Sequence, residues 1–348
     1  MVYFANRGKI NSGGLLRYKM RKSLLAIIIL FVLGAGGYVV FSGVLQKSQE
    51  VRVYKIGILV RGESYRPAVE GFLSKMKELG YEQKKNIEYD IRFVEKKEEL
   101  PIVVKLFLEK GVDLIHTYST PATVEASKQT QTVPIVFGSM GDPIASGVVR
   151  SLQRPGGNVT GIGSLSVDLT AKRLQFLKEL FPEIKKVAIP FTPTDIPGRR
   201  SFEVAEDTAG KLGILLVPYH ITPEHTPLEV AQSIFRKDVD GMIVSADSLV
   251  WANLAAFIKQ AAGEKIPFAV FDKDMVVKGG LVGYGPDYFT VGQQSAVITN
   301  KILHGAKPQE LPIEVPEKFI LAVNLRTARE NGFNIPEKFL AKVDLLVK

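Results

Sequence analysis

The chain has 348 residues, 46% of them hydrophobic and 23% charged, with a formal net charge of +9 and no cysteine. That length suffices for two well-buried α/β cores once the atypical residues before Tyr54 are set aside. Without cysteine there is no thiol catalysis, disulfide, cysteine-ligated metal or lipid-modified cysteine anchor, and most of the cationic excess lies ahead of residue 23, which leaves no nucleic-acid footprint in the remainder.

Arg7, Lys9, Arg17, Lys19, Arg21 and Lys22 precede the first apolar run with no acidic residue among them. No charge then occurs between Lys22 and Lys47, and Leu24 to Phe41 is just long enough to cross a bilayer, which needs about 20 residues. The positive flank puts residues 1–23, a basic tail, in the cytoplasm and the rest outside. Residues 24–42 are expected to be a transmembrane anchor or, alternatively, a cleaved signal helix. The small residues Gly34 to Gly37 are followed by more apolar ones, with no clear A-x-A site. Met20, followed by Arg21 and Lys22, also reads as a translational start. Residues 43–53 are expected as a linker.

From Tyr54 onward strand-like apolar runs alternate with helical periods. Strands are expected at Lys55–Val60, Asn86–Phe93, Val112–Thr117 and Val133–Phe137. Helices are expected at Ala68–Leu79, Leu100–Lys110 and Thr123–Gln129. A Gly/Pro-rich stretch, Pro155–Gly163, separates this run from a second. In the second, helices are expected at Leu169–Phe181, Phe202–Leu212, Leu228–Phe235, Leu249–Ala262 and Phe289–Leu303. Strands are expected at Lys186–Phe191, Ile214–His220, Gly241–Ser245, Phe268–Phe271 and Gly280–Tyr284. Continuous apolar strands alternating with helices imply parallel sheets covered on both faces, hence an α/β fold of two doubly wound lobes.

Such a fold binds its ligand at the carboxyl ends of the strands, so the loops there carry the candidate residues. The first loop offers Ser64 and Tyr65. Next comes Ser119-Thr120-Pro121-Ala122, a hydroxyl followed by proline at a helix start. That is an N-cap whose free N–H groups can also hold a carboxylate. Asp142, before Pro143, reads first as a turn or cap and second as a ligand contact. Thr192, Asp247, Ser248 and Asp272 follow later strands. Asp247 and Asp272 are either helix caps or partners for an ammonium group. Tyr65, Tyr118, Phe271 and Tyr284 are either core residues or aromatic walls.

Enzyme signals are sparse. His116, His220, His225 and His304 have no metal-ligand spacing, and no serine stands in a nucleophile-elbow pattern. His116 reads as a core residue, and Asp168, Asp195 and Asp287 as caps or turns. No phosphate-binding loop is present. No catalytic residue, metal or cofactor is expected.

Several segments resemble one family: "DLIHTYSTPAT" (113–123), "PIVFGSMGDPIASGVVRSLQRPGGNVTGI" (134–162), "KRLQFLKELFPEIKKVAI" (172–189), "KGGLVGYGPDYFTVG" (278–292) and "ILHGAKPQELPIEVPEKFILAVNLRTARENGFNIPEKFLAKVD" (302–344). The chain resembles the substrate-binding components of ABC transporters with the type I periplasmic-binding fold, in the family that includes tryptophan- and tyrosine-binding members. The resemblance implies a hinge crossed three times, with 54–158 and 280–308 as lobe 1 and 159–279 and 309–348 as lobe 2. It implies a carboxylate seat at Ser119, Thr120 and Ala122, amino-group partners at Asp247 and Asp272, and a permease and an ATPase as partners. A ligand-sensing module on the same fold is the alternative. The sequence departs from the family at Thr192, where asparagine is frequent, at Phe271, where amino-acid binders tend to have a small residue, and at "MGDP". These departures bear on which ligand is bound.

Overall fold

Four of the strands expected from the sequence, β1 (Tyr54–Arg61), β2 (Ile87–Val94), β3 (Leu114–Tyr118) and β4 (Ile135–Met140), form an all-parallel sheet with a fifth, β5 (Val159–Gly163), in the order β2-β1-β3-β4-β5. This is a computed structural model that describes residues 52–348, and Phe31 ahead of them. The expected basic tail and most of the apolar stretch and linker lie outside the described residues. No helix among the described residues is long and apolar enough to cross a membrane.

Ile56 to Val60 are all buried because helices cover both faces of the first sheet, which is why this strand reads as an unbroken apolar run. The covering helices are α1 (Arg66–Glu78), α2 (Leu100–Glu109) and α3 (Thr120–Gln129), joined from far along the chain by α10 (Tyr288–Leu303). Helix α10 lies on α1 at backbone contact. A Cβ at Gly71 would sit 2.0 Å from the Phe289 carbonyl oxygen, and one at Gly292 would sit 1.9 Å from that of Ala68. Two glycines are therefore what let the returning chain dock on the first lobe.

The second sheet runs β12-β11-β10-β9-β8-β6-β7. Its strands are β6 (Lys186–Phe191), β7 (Leu215–His220), β8 (Gly241–Ile243), β9 (Phe268–Val270), β10 (Val282–Pro286), β11 (Phe319–Asn324) and β12 (Leu345–Val347). All neighbours are parallel except β10 and β11. The helices are α4 (Leu169–Leu180), α5 (Ile196–Leu212), α6 (Pro227–Gln232), α7 (Ser248–Ala252), α8 (Leu254–Gly263), α9 (Lys273–Val277), α11 (Leu325–Asn331) and α12 (Glu337–Leu340).

The chain passes between the lobes after β5, after β10 and before β11. The first and third passes are tied together: Gly163 N–H donates to Glu314 O (2.9 Å), and Glu314 N–H donates to Gly161 O (3.0 Å). The second and third meet at Asp287, whose N–H donates to Lys318 O (3.0 Å). Its carboxylate faces Lys273 at 2.9 Å and Lys318 at 3.6 Å.

Several expected boundaries are corrected. Val159–Gly163 pairs with β4, so the first pass follows Gly163 and not residue 158; glycine and threonine hid this strand within the Gly/Pro-rich stretch. Strand β10 belongs to the second sheet, so lobe 1 resumes only after Pro286 and not at 280. Helix α5 starts at Ile196 instead of Phe202, because Asp195 caps it and Pro197 sits in its first turn. The helix expected over Leu249–Ala262 breaks at Asn253, whose side-chain amide donates to Leu249 O (2.9 Å).

The α1–α10 contact yields a direct expectation. Gly292→Ala pushes a methyl group into backbone that cannot recede like a side chain. It should cost about 1–3 kcal/mol, seen as a lowered thermal midpoint in calorimetry. An unchanged midpoint would show that α10 docks loosely.

Candidate functional site

Each sheet has one point where the strand order reverses: between β1 and β3 in the first, and between β6 and β8 in the second. Loops at such a point diverge and leave a crevice at the strand ends. Here the two crevices face each other across a cavity of about 510 Å³, within the range of small-molecule sites, roughly 300–1,000 Å³. From lobe 1 come Arg61 to Tyr65 after β1, Glu95 after β2, Ser119 to Pro121 after β3, and Tyr288 at the start of α10. From lobe 2 come Asp195 and Pro197 after β6, Ala246 to Ser248 after β8, Trp251, Leu254, Ala255 and Ile258 on α7 and α8, then Phe271 and Lys278. The lobes also touch directly. The Tyr65 and Trp251 rings are 4.7 Å apart, those of Trp251 and Tyr288 5.8 Å, and Arg200 approaches Asp142 at 3.8 Å.

Of the residues expected from the sequence, Ser64, Tyr65, Ser119, Thr120, Asp247, Ser248 and Phe271 line this cavity. Five others do not. Ala122 is buried in the first turn of α3, its N–H donating to Ser119 Oγ (3.3 Å). Asp142 accepts from Ala145 N–H (2.9 Å) and faces Arg200 outside the cavity. Thr192 supports another residue, its N–H donating to Asp247 Oδ2 (2.7 Å). Asp272 is buried as the cap of α9, accepting from Met275 N–H (2.9 Å). Tyr284 packs against Phe176 and Phe319 in the second lobe. Tyr118 is core, its hydroxyl donating to Ala68 O (3.1 Å). His116 is core as well, its Nε2 3.1 Å from Ser295 Oγ, and burial lowers its pKa to about 3.

The start of α3 is largely self-satisfied. Ser119 accepts from Ala122 N–H through its side chain and from Thr123 N–H through its carbonyl, and Pro121 has no N–H. Thr120 itself lines the cavity. Ser119 holds this geometry at a φ of 102°, strained for a residue with a Cβ.

The acidic wall is different. Asp247 accepts three backbone N–H groups, from Thr192, Leu249 and Val250. Asp195 accepts one, from Gly198 (2.9 Å), with the Ser248 hydroxyl at 3.4 Å. Burial, then the Asp247 charge, pushes the Asp195 pKa up to about 6; burial raises Asp247 too, and takes Asp272 to about 6.

Two further residues escaped the sequence reading. Trp251, the only tryptophan, was hidden inside an ordinary helical period; its indole Nε1 is buried with no acceptor. Arg173, almost fully buried, lies over the Phe271 ring at 4.3 Å. Its Nε donates to Tyr284 O (3.0 Å) and its Nη1 to Ser166 O (2.9 Å), while Nη2 has no acceptor. A cation on the face of α4 that carries Leu169, Phe176, Leu177 and Leu180 was the available signal. Asp195 was legible as a cap, and the reversal between β6 and β8 is what brings it into the cavity.

Two α/β lobes, three linking passes and a cavity between opposed strand ends define a hinged solute receptor. The sequence matches the family described as ABC transporter substrate binding protein over residues 54–346, and the chain belongs to that family. It is 27% identical over 325 residues to the Tyrosine-binding protein of Clostridioides difficile, covering 88% of this chain and 92% of that one. A conserved domain protein of Vibrio cholerae superposes with a TM-score of 0.80 at 27% identity, over 84% of this chain and 99% of that one. The ABC domain in complex with L-Trp from Streptococcus pneumonia gives 0.79 at 23% identity with the same coverage. The protein is therefore an extracytoplasmic substrate-binding component of an ABC transporter and not an enzyme.

The raised carboxylate pKa values carry a sign. Asp195 is about two units above the unfolded value of roughly 3.9. The folded state thus binds more protons between about pH 4 and 6, and Asp195 lowers stability as pH rises through that window. Ligand-free Asp195→Asn, which keeps the cap, should melt higher than the parent at pH 7.5. The difference should shrink towards pH 5. A variant less stable than the parent at pH 7.5 would mean that the charge is already compensated.

Proposed function

We propose that the solute is an amino acid with an aromatic side chain, captured between the lobes and passed to a membrane permease driven by an ATPase. The observation that carries this is the composition of the cavity wall. Tyr65 and Tyr288 from lobe 1 and Trp251 and Phe271 from lobe 2 form one aromatic cluster beside polar loop tips. Aromatic rings favour edge and offset contacts with another ring, each about 0.5–1.5 kcal/mol beyond burial. The similarity to a tyrosine-binding relative supports the same class. In this reading Thr120 N–H, the α3 N-terminus and Arg61 meet the carboxylate, and Ser64, Ser119 and Ser248 supply hydroxyls.

Closure is a population shift. A solute that touches Tyr65 and Ser119 on one side and Asp247, Ser248 and Trp251 on the other makes all its contacts only when the lobes meet. The permease then reads the closed surface. The apolar stretch 24–42 fits a tether that keeps the receptor at the membrane.

Titration calorimetry against the free amino acids tests the class. L-tyrosine or L-tryptophan should bind with a dissociation constant in the micromolar range or below, and Trp251→Ala should weaken binding about tenfold, the worth of ~1.4 kcal/mol. No heat with any aromatic amino acid would reject the proposal.

A further inference from the structure

Asp247 and Asp272, expected as partners for an ammonium group, are both committed elsewhere. Asp272 lies outside the cavity, and both oxygens of Asp247 are held by backbone N–H groups. Asp195 lines the same wall with capacity to spare: Oδ2 accepts only Gly198 N–H, and Oδ1 meets the Ser248 hydroxyl at the outer limit of a hydrogen bond, 3.4 Å. The two carboxylates converge. A Cβ on Gly198 would lie 2.7 Å from Asp247 Oδ2 and 3.2 Å from Asp195 Oδ2, so glycine is what allows both to occupy this corner. Neither forms an ion pair among the described residues; Arg61, on the opposite wall, lowers the Asp195 pKa only as a minor influence. Paired carboxylates on a partly dry wall, to which no side-chain cation is paired among the described residues although Lys278 also lines the cavity, favour a cationic guest. Trp251, on the same wall, carries a buried indole N–H without an acceptor.

We propose that Asp195 receives a primary ammonium group of the solute and is the residue that selects amino acids over their deaminated counterparts. This rests on the amino-acid reading above and adds to it a residue and a selection rule. Asp247 then acts through Asp195 as a positioning residue: its negative charge, fixed by three N–H donors, adds to the field that a cation meets.

The test uses the full-length protein in detergent. L-tyrosine and 3-(4-hydroxyphenyl)propionate, which lacks only the amine, are titrated into the parent, Asp195→Asn and Asp195→Glu. A screen of other free amino acids, primary amines and neutral sugars runs beside them. Asp195→Asn should lose roughly 30-fold or more for L-tyrosine, as when one partner of a buried charge pair is removed, and less than about threefold for the propionate. Asp195→Glu should keep the preference for the amine. Unchanged tyrosine affinity in Asp195→Asn overturns the proposal. So does a parallel loss for both probes, which would mark a structural role. If the parent ignores aromatic amino acids but binds another primary amine, the aromatic reading fails alone, and Asp195 is judged on that amine by the same criterion. Binding of amine-free solutes only, or of nothing, overturns both.

Discussion

Two carboxylates in one corner of the cavity, one buried and one half-buried, with no ion pair to either among the described residues, are the constraint on which the cleft depends. Asp195 and Asp247 share one corner of the cavity, and burial disfavours the charge on each. A protein that needed only stability would fill this corner with apolar side chains, since buried charge without compensation is costly. In the proposed reading a cationic guest removes that cost. Both lobes bring charge to the cavity: Arg61, Glu63 and Glu95 from lobe 1, and Asp195, Asp247 and Lys278 from lobe 2. In the proposed reading a zwitterion turns its carboxylate to Arg61 and its ammonium to Asp195. Because its two ends contact different lobes, its affinity differs between open and closed forms, and only that difference shifts the equilibrium.

Such a shift requires lobes that move as bodies. The short strands β8 and β9 and the buried face of α4 give the second lobe its core, and the glycine contact between α1 and α10 locks the returning chain onto the first. The passes between them are ordered, with their backbones hydrogen-bonded to one another and Asp287 facing two lysines. Arg173 joins the hinge to the site. It links Ser166, beside the first pass, to Tyr284 in β10, and it backs the Phe271 ring that lines the cavity.

Strand periodicity and helix punctuation carried most of the fold, because buried parallel strands are apolar on both faces and Asp, Ser and Pro mark helix starts. What stayed hidden depended on pairing. Val159–Gly163 has too little side chain to look like a strand and is one only because β4 lies beside it. β10 sits in the second sheet because of its register with β9 and β11, which no local pattern encodes. Loop position put Ser119, Asp247 and Phe271 on the cavity wall. It did not distinguish carboxylates consumed as caps, Asp272 above all, from one with an oxygen free. Asp195 and Thr192 lie on the same loop; which lines the cavity and which props up Asp247 depends on the reversal of strand order and on Gly198.

The most direct measurement of the central claim is the distance between lobes. Since the chain has no cysteine, Lys96→Cys on lobe 1 and Lys259→Cys on lobe 2, both exposed, can be spin-labelled uniquely in the full-length protein. A distance distribution that is broad or long without solute should collapse to one short distance as L-tyrosine or L-tryptophan saturates the site. A distribution that is the same with and without bound solute would contradict a receptor that works by closing.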